Sequence, residues 1–454
     1  MLDDVLERSA GAVDAARKGP QIAPPPRAAA AVALPAAAPR SLAMAQFLPG
    51  PVSALGLVVL ASLLCRLGWL NVPDRALIFD EAYYVNAART MLGWPVPPAA
   101  PYAAEPPGRD PNREHPPLGK LAIATSMRWL GDTPLGWRLP SLVAGVASIL
   151  LVFLIVLAAR GDLWLGVVAA TLFAFDNLAF VHSRIGTLDM PLVACLLLAA
   201  WLALRDRPLL AGMACALAAL IKITGVHGSL ALVLLLAVRG SWSWRDTGRW
   251  PAASVRAIAF LLVGFVGLWT AGLWLLDLNV GAYRTPWEHL RFMLHYGFSL
   301  VNVQGPQGQE SHPWQWLLNE VQMTYLRTEQ RVLVNGAVTA VRPVIDFRGA
   351  MNPLIIGAAP LGVGYAIWRV WTRRDVLALW VVTWIAATHL PFYPLAMLQH
   401  RVSYIFYFLP TLPAVAVALA SVSRQAGLPR IALWTYLALV LVGFIGYFPF
   451  RAVM

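Results

Sequence analysis

Long apolar runs alternate with short polar stretches from residue 50 to residue 448 of this 454-residue chain. Most runs approach the roughly 20 residues that a helix needs to cross a bilayer. We place spans at 50–70, 136–159, 163–181, 188–204, 208–224, 227–238, 257–276, 353–371, 376–391, 404–420 and 431–448. The pattern predicts an all-α polytopic membrane protein with about 11 transmembrane helices, in which 48–454 form one integral membrane domain.

The chain is 59% hydrophobic and only 13% charged, which is typical of a membrane protein and not of a soluble one. Its net charge of +12 is unevenly distributed. The loops on one predicted side carry twelve arginines against four aspartates, whereas those on the other side balance. This is the positive-inside pattern, so we expect a cytoplasmic N-terminus, an external C-terminus and no nucleic-acid partner.

The first 47 residues are rich in alanine and proline and predict a disordered cytoplasmic tail. That tail is too long for the n-region of a signal peptide, so the run at 50–70 is interpreted as an uncleaved signal anchor. Cys65, Cys195 and Cys215 all fall in apolar runs. Buried thiols explain them better than a metal site or a disulfide framework.

Two long loops lie on the predicted outer side, at 71–135 and 277–352. In the first loop, Tyr83 to Leu92 and Leu118 to Leu130 predict two helices that are too short to span and lie at the membrane interface. The second loop is rich in aromatic residues and histidines. We expect it to cover a cavity, with its histidines as hydrogen-bonding surface groups.

Charged residues at the edges of the apolar runs are the candidates for function, because a charge at mid-bilayer costs about 2.5–3.5 kcal/mol on insertion scales. The predicted topology puts them all at the outer face: Asp80, Glu81, Arg66, Arg138, Asp176, Asn177, Arg184, Asp189, Lys222 and Arg401. Their convergence predicts one polar site at that face.

Most of these candidates also have a purely structural interpretation. Arg184 and Asp189 are five residues apart and could pair to hold two helix ends. Arg66 could extend to the lipid headgroups, and Asn177 could cap a helix. The prolines after His115 could simply give a rigid start to a helix.

The order of several motifs resembles that of the protein O-mannosyltransferases, which are polytopic type-C glycosyltransferases that use a polyprenyl-phosphate sugar. The motifs are Phe79-Asp80-Glu81, His115-Pro116-Pro117-Leu118-Gly119-Lys120, Arg138-Leu139-Pro140, Asp176-Asn177, Ser183-Arg184-Ile185-Gly186-Thr187-Leu188-Asp189, Lys222-Ile223-Thr224-Gly225, Ser311-His312-Pro313-Trp314-Gln315-Trp316, and Arg401 through Leu409-Pro410. The resemblance covers roughly residues 50–420.

The chain departs from the family pattern in three places. Ile223 stands where the family usually has Trp, and Tyr407 where eukaryotic members tend to have His. The loop at 277–352 has no room for the β-trefoil module that eukaryotic members insert there. The chain is therefore similar to a compact, bacterial-type enzyme.

The resemblance implies a role for each motif. Asp80 is implied as the general base that deprotonates the acceptor hydroxyl, and Glu81 as the residue that orients Asp80 or the acceptor. Direct displacement by one base predicts inversion at the sugar carbon. The donor phosphate and sugar are implied to bind first of all to Arg401, and also to Arg138, Lys222 and His115. The residues implied to support the site are Asp176, Asn177, Arg184 and Asp189. His312 and Trp314 are implied to lie in the loop that meets the acceptor. No metal is required, although the acidic pair could hold a divalent cation weakly.

The implied reaction transfers mannose from a polyprenyl-phosphate donor to a Ser or Thr hydroxyl at the outer face of a bacterial inner membrane. The implied partners are the lipid-linked donor, an exported protein or peptide, membrane lipids and the protein-export machinery. A related transferase with a lipid or glycan acceptor, similar to the aminoarabinose transferases, is the alternative enzyme. A secondary transporter is disfavoured because the charges cluster at one face, and a structural scaffold would not need such costly ions.

Overall fold

The apolar runs fold into helices, which the computed structural model describes within residues 50–74, 76–425, 427 and 429–451. The predicted tail at 1–47 lies outside these described residues. The helices of the first part are α1 Pro51–Leu67, α2 Glu81–Leu92, α3 Leu118–Leu130, α4 Pro134–Arg160, α5 Leu163–Ala174, α6 Asn177–His182, α7 Asp189–Leu204, α8 Pro208–Ile221, α9 Val226–Thr247 and α10 Ala252–Val280. The second part has α11 Pro286–Ser299, α12 Pro313–Trp316, β1 Met323–Val334, β2 Ala337–Gly349, α13 Pro353–Arg373, α14 Val376–His389, α15 Phe392–Gln399, α16 Leu412–Gln425 and α17 Arg430–Gly446. Short 3₁₀ segments, Ile223–Gly225 and Ile405–Thr411, precede α9 and α16.

Each predicted span contains a helix in the described part of the chain, but the run at 163–181 is broken, because α5 ends at Ala174 and α6 begins at Asn177. Six segments there are long and apolar enough to cross a membrane: Pro134–Arg160, Ile223–Thr247, Ala252–Val280, Pro353–Arg373, Val376–Gln399 and Ile405–Gln425. The shorter apolar helices α1, α5, α7, α8 and α17 accompany them. The chain is therefore a multi-pass membrane protein, while the number of helices that cross the bilayer stays a prediction.

Helix boundaries follow local capping chemistry more closely than hydropathy. The side chains of Thr133, Asp162 and Asp375 accept backbone hydrogen bonds from the first turns of α4, α5 and α14, which satisfies amides that lack helical partners. The predicted run at 227–238 is shorter than α9, because the helix continues through a polar segment to Thr247.

The arginine-rich loops meet at one end of the helix bundle. Asp375 accepts a charged hydrogen bond from Arg160, at the end of α4, and pairs with Arg369 of α13 at 2.7 Å. Arg374 pairs with Asp246 of α9 at 2.5 Å. These three segments of the predicted inner side thus lie together, which leaves the opposite helix ends to form the predicted outer face.

The two short helices of the loop at 71–135 form where they were predicted. α2 and α3 pack against each other, and α3 packs against α4 and α8. Tyr84 of α2 is 4% exposed, whereas its neighbour Tyr83 is 48% exposed. One face of α2 therefore belongs to the protein core, and its N-terminus, at Asp80 and Glu81, is held close to the bundle.

An antiparallel hairpin in the loop at 277–352 was not predicted, so the described chain is mostly helical and not wholly α. β1 pairs with β2 from Met323 opposite Gly349 to Val334 opposite Ala337. The turn residues Asn335 and Gly336 both have positive φ, 54° and 81°. An Asn-Gly pair between aliphatic runs is a strong hairpin signal. The base of the hairpin is buried, while the strands beyond Arg327 are largely exposed.

Candidate active site

A cavity of about 770 Å³ opens at the end of the bundle opposite the arginine-rich loops. Four of the predicted site residues line it, although they are scattered over more than 300 positions: Asp80, His115, Lys222 and Arg401. The rest of the lining is mostly aromatic and aliphatic, with Tyr407 and Phe406 from the second 3₁₀ segment, and includes further polar residues such as Glu114 and Glu310. A mostly apolar cavity with a few convergent polar groups is the usual form of a small-molecule site.

The adjacent carboxylates Asp80 and Glu81 face different surroundings. Asp80 precedes α2, lines the cavity and is half-buried, and its side chain makes no capping hydrogen bond with the helix. Glu81 is fully buried and does not line the cavity. Its oxygens accept hydrogen bonds from the backbone amides of Ile78 and Gly186, both at 2.7 Å. Glu81 therefore holds the backbone around Asp80 from outside the cavity lining.

Arg138 is the partner of Glu81 and does not line the cavity. Its guanidinium donates from Nε at 2.7 Å and from Nη2 at 2.9 Å to the two carboxylate oxygens. Both side chains are buried, at 1% and 0% exposed. This two-point geometry is the strongest form of a carboxylate–arginine pair. The structure thus places Arg138 against Glu81, outside the cavity lining.

The environment of Asp80 suits a base. Burial raises the pKa of its carboxyl from 3.8 to about 7. The charge of Lys222 opposes this rise in pKa, and the carboxylates of Asp189 and Glu114 add to it. A general base works best when its pKa lies near the operating pH, because it is then both ionised and basic enough to take a proton.

Two cations line the cavity in different ways. Lys222, at the end of α8, donates to Asp189 of α7 at 2.9 Å and lies 5.2 Å from the centre of the Phe406 ring. Arg401 has no ion-pair partner among the residues that the structure describes. Its neighbour Val402 donates a backbone hydrogen bond to the carbonyl of Leu300 at 2.9 Å, which joins this segment to the end of α11. The charge of Lys222 is thus partly offset, and that of Arg401 is available.

Glu114 also lines the cavity, next to His115, and sequence reasoning missed it. Its carboxylate accepts a hydrogen bond from Asn112 at 2.5 Å, and burial raises its pKa. Burial, followed by the charges of Lys222 and Lys120, holds the pKa of His115 well below its usual range, so the ring is neutral. The available signal was the position of Glu114 directly before the His-Pro-Pro motif.

Buried polar groups anchor the segment that carries Glu114 and His115. Lys120 of α3 is fully buried, donates to the backbone carbonyls of Asn112 and His115, and pairs with Asp110 at 2.6 Å. Because both flanks of Glu114 are fixed, the carboxylate is presented from a rigid backbone.

His289 of α11 holds the same segment from the other side. Its Nδ1 lies 2.9 Å from the carboxylate of Asp277, and its Nε2 lies 2.8 Å from the carbonyl of Arg113. His289 is 0% exposed, so the expectation that the histidines of this loop are surface groups is wrong for this residue.

The predicted supporting residues are buried, and they do not act as one unit. Asp176 caps α6 by accepting from Leu178 and Ala179 at 3.0 and 3.1 Å, and it also accepts from Asn352 at 2.9 Å. Asn177 is not the cap, and its amide donates to the carbonyl of Phe444 at 2.9 Å.

Arg184 and Asp189 do not pair with each other. Arg184 donates to the carbonyl of Cys65 at 2.7 Å and lies over the rings of Phe180 and Phe450. Asp189 turns to Lys222, as described above. The structural pairing that their sequence spacing allowed is therefore wrong, and only Asp189 is connected to the cavity.

His312 and Trp314 stack on each other, with ring centres 4.2 Å apart, and neither lines the cavity. His312 caps the single turn of α12. Within the described residues, no group of three or more His, Cys, Asp and Glu side chains could hold a metal ion.

Comparisons with known proteins agree with the motif order. A family model described as dolichyl-phosphate-mannose-protein mannosyltransferase matches residues 114–269. A polyprenol-phosphate-mannose–protein mannosyltransferase of Mycolicibacterium smegmatis is 26% identical over 409 residues, which cover 74% of this chain and 77% of that protein. The expected resemblance to the protein O-mannosyltransferases is confirmed.

Two solved structures share the fold. The Saccharomyces cerevisiae protein O-mannosyltransferase Pmt1–Pmt2 complex bound to the sugar donor matches with a TM-score of 0.67 and 12% identity, over 90% of this chain and 91% of that one. ArnT from Cupriavidus metallidurans in the apo state matches with a TM-score of 0.51 and 18% identity, over 90% of this chain and 76% of that one. The predicted, mostly helical fold is therefore confirmed, and this chain shares it with these two structures.

Proposed function

Because the resemblance to the protein O-mannosyltransferases holds in motifs, family model and fold, we propose that this chain transfers a mannosyl residue from a polyprenyl-phosphate donor to a Ser or Thr hydroxyl of a protein. The observation that carries the proposal is the cavity itself. It presents one carboxylate near neutral pKa, Asp80, together with the cations Lys222 and Arg401.

Asp80 acts as the general base. An alcohol is a poor nucleophile until its proton is removed, and a positioned base accelerates such an attack by about 10²–10⁴-fold. As the acceptor oxygen bonds to the anomeric carbon, its proton passes to the Asp80 carboxylate. With one base and direct displacement of the lipid phosphate, the sugar carbon inverts.

Arg401 and Lys222 stabilise the leaving group. The bond between the sugar carbon and the phosphate oxygen breaks with its electron pair on the phosphate, which gains negative charge. Fixed cations that face this developing charge lower the barrier without reorganising. Arg401 carries the larger share, since Asp189 already offsets Lys222.

His115 and Glu114 bind the sugar and its phosphate from the anchored segment. Nδ1 of His115 is buried and has no hydrogen-bond partner among the described residues, so a bound donor can supply one. The oxygens of Glu114 accept hydrogen bonds from sugar hydroxyls. Arg138 acts indirectly, by fixing Glu81 and so the backbone at Asp80. His312 and Trp314 lie in the loop that meets the acceptor, outside the cavity.

The reaction takes place at the outer face of a bacterial inner membrane, with the N-terminus in the cytoplasm. The ion-paired, arginine-rich helix ends support this orientation, because positive loops face the cytoplasm and the cavity lies at the other end. The acceptor is then an exported protein, which meets the enzyme as it leaves the export machinery.

The test is a transfer assay with the purified full chain in nanodiscs. It uses polyprenyl-phosphate mannose and a Ser/Thr peptide, for the wild type and for Asp80→Asn. We expect transfer by the wild type and its loss in the variant. Glycosylation of a lipid acceptor with no peptide product would assign the chain to the alternative, lipid-modifying class. Equal transfer by both proteins would remove Asp80 from the base role.

A further inference from the structure

The base of the hairpin reaches the candidate active site at two residues of β1: Met323 lines the cavity, and Tyr325 lies behind its wall. Tyr325 is 7% exposed. Its ring stacks on Phe79, with ring centres 4.1 Å apart and planes inclined by 17°. Its hydroxyl lies 2.8 Å from Nε2 of His182. Tyr325 thus has one contact on the side of Asp80 and another on the side of Lys222.

The contact with Phe79 bears on Asp80, the next residue in the chain. Phe79 has a φ of +56°, a left-handed conformation that costs energy for a bulky side chain and persists only where surrounding contacts enforce it. Its ring is enclosed by Tyr325 and, edge to face at 5.5 Å, by Phe406. These contacts set the direction in which the backbone delivers Asp80 into the cavity.

The contact with His182 bears on Lys222. Nδ1 of His182 faces Asp189 at 3.6 Å, and the other oxygen of that carboxylate holds Nζ of Lys222 at 2.9 Å. All four side chains in this chain of contacts are buried. The other ring nitrogen of His182, Nδ1, lies 3.4 Å from the hydroxyl of Thr187. The hydroxyls of Tyr325 and Thr187 thus fix the imidazole ring, which packs against Oδ2 of Asp189 beyond hydrogen-bond distance.

We infer that Tyr325 is a positioning residue of the active site, which holds Asp80 through the Phe79 ring and Lys222 through His182 and Asp189. The hairpin is then part of the catalytic structure and not only an appendage of the outer loop. This inference rests on the proposed function for what the two held groups do. The identity of the two groups that Tyr325 holds, Asp80 and Lys222, rests on geometry alone.

Gly349 of β2 offers a way to move Tyr325 without altering a polar group. A Cβ at this position would lie 2.3 Å from the tyrosine hydroxyl oxygen and 2.5 Å from its ring carbon. Gly349→Ala therefore forces the Tyr325 ring to shift. In a Tyr325→Leu background the same alanine finds room, so the two changes are expected to be strongly non-additive.

The test compares three variants with a matched control. Tyr325→Phe keeps the ring and loses the hydroxyl, so we expect a roughly tenfold rise in the donor KM and in the Kd for polyprenyl phosphate, with kcat little changed. Tyr325→Leu also frees Phe79, and Gly349→Ala displaces the ring. Both should lower kcat by roughly 100-fold, the scale of an ångström misplacement. Tyr436→Phe removes a comparable hydroxyl, which donates to the carbonyl of Leu354 at 3.2 Å away from the cavity, and should leave both constants unchanged.

Several results separate the possibilities. A split between donor KM and kcat for the Tyr325 variants, absent in Tyr436→Phe, supports the positioning role. Loss of thermal stability with unchanged kcat and KM in all of them would overturn it, and so would additive effects of Gly349→Ala and Tyr325→Leu. If the wild type transfers no mannose, the proposed function fails, but the inference about Tyr325 can still be tested by binding. Weaker polyprenyl-phosphate binding by Tyr325→Phe would then support the inference, and unchanged binding would refute it.

Discussion

Neutralising Asp80 and neutralising Glu81 should have opposite effects on stability, although the two residues are adjacent. Asp80 is a carboxylate that the fold disfavours, since burial raises its pKa to about 7. Glu81 is a carboxylate on which the fold depends, since it accepts two charged hydrogen bonds from Arg138 and one backbone hydrogen bond on each oxygen. We therefore expect Asp80→Asn to unfold later than the wild type and Glu81→Gln to unfold earlier.

The size of the Asp80 effect follows from its pKa. The carboxyl of Asp80 has a higher pKa in the folded state than its unfolded value of 3.8, so between about pH 4 and pH 7 the unfolded chain releases this proton more readily than the folded chain. The stability of the wild type therefore falls as the pH rises through this range. Above pH 7 the ionised carboxyl destabilises the folded state by the whole difference between its two pKa values, 3.8 and about 7, which is about 4 kcal/mol as an upper bound. At pH 5 only about 1.6 kcal/mol applies, because the folded carboxyl is still protonated. The advantage of Asp80→Asn should thus grow by about 2–3 kcal/mol between pH 5 and pH 8.

The Glu81 effect comes from an uncompensated charge. Each oxygen of Glu81 accepts two hydrogen bonds, so in Glu81→Gln the amide NH₂ group replaces one of these acceptors and faces two donors. Arg138 is then left buried without a counter-ion. Removing one partner of a buried ion pair costs about 3–5 kcal/mol. The loss should be present at both pH values.

The assay is unfolding of the purified chain in mixed micelles by added SDS, at pH 5 and at pH 8, for the wild type and both variants. Glu105→Gln is the matched control, because Glu105 is an exposed acid of the same outer loop. It should unfold with the wild type at both pH values. Two outcomes would refute the reasoning: a Glu81→Gln protein as stable as the wild type, or an Asp80→Asn protein that gains nothing at pH 8.

Three further changes test the chemistry of the cavity. The transfer rate should fall about tenfold for each pH unit below about pH 7, because Asp80 must be ionised to accept a proton. A flat profile between about pH 5 and pH 9 would contradict the base role. Arg401→Ala should weaken polyprenyl-phosphate binding by about 10- to 150-fold, the range for charged hydrogen bonds, and unchanged affinity in a titration would take Arg401 out of the phosphate site. Glu114→Gln should raise the donor KM by roughly tenfold with kcat nearly constant, and a change in acceptor KM alone would move Glu114 to the acceptor side.

The helices could be predicted from the sequence because hydropathy and helix formation depend on local residues. The run at 353–371 became Pro353–Arg373, and Leu118–Leu130 formed as predicted. The prediction ended α9 early, since hydropathy does not register a polar turn that continues a helix to Thr247. The hairpin was missed despite Asn335-Gly336, because most of its strand surface is exposed and gives no alternation between apolar and polar positions.

The membership of the site could be predicted only in part. Charge topology places Asp80, Lys222 and Arg401 at one face, and the structure brings all three to one cavity. The same reasoning placed Arg138 with them. Which cation pairs with which anion depends on the direction of each side chain. The sequence does not distinguish a buried arginine such as Arg138 from a cavity-lining arginine such as Arg401. Glu114 was missed for the same reason.

The different roles of the acidic pair follow from where α2 begins. Asp80 precedes the helix and Glu81 is its first residue, so their side chains leave the backbone in different directions, one to the cavity and one to the core. Since Glu81 neutralises Arg138 in the core, the protein keeps an arginine near the site without adding its full charge to the cavity. Lys222 is offset by a buried aspartate, whereas Arg401 has no ion-pair partner in the described part of the chain and so provides uncompensated positive charge at the cavity. In the proposed reaction, the leaving phosphate would meet its strongest attraction at Arg401 and the acceptor hydroxyl would meet the carboxylate of Asp80, so this separation of charge would set the direction of the displacement.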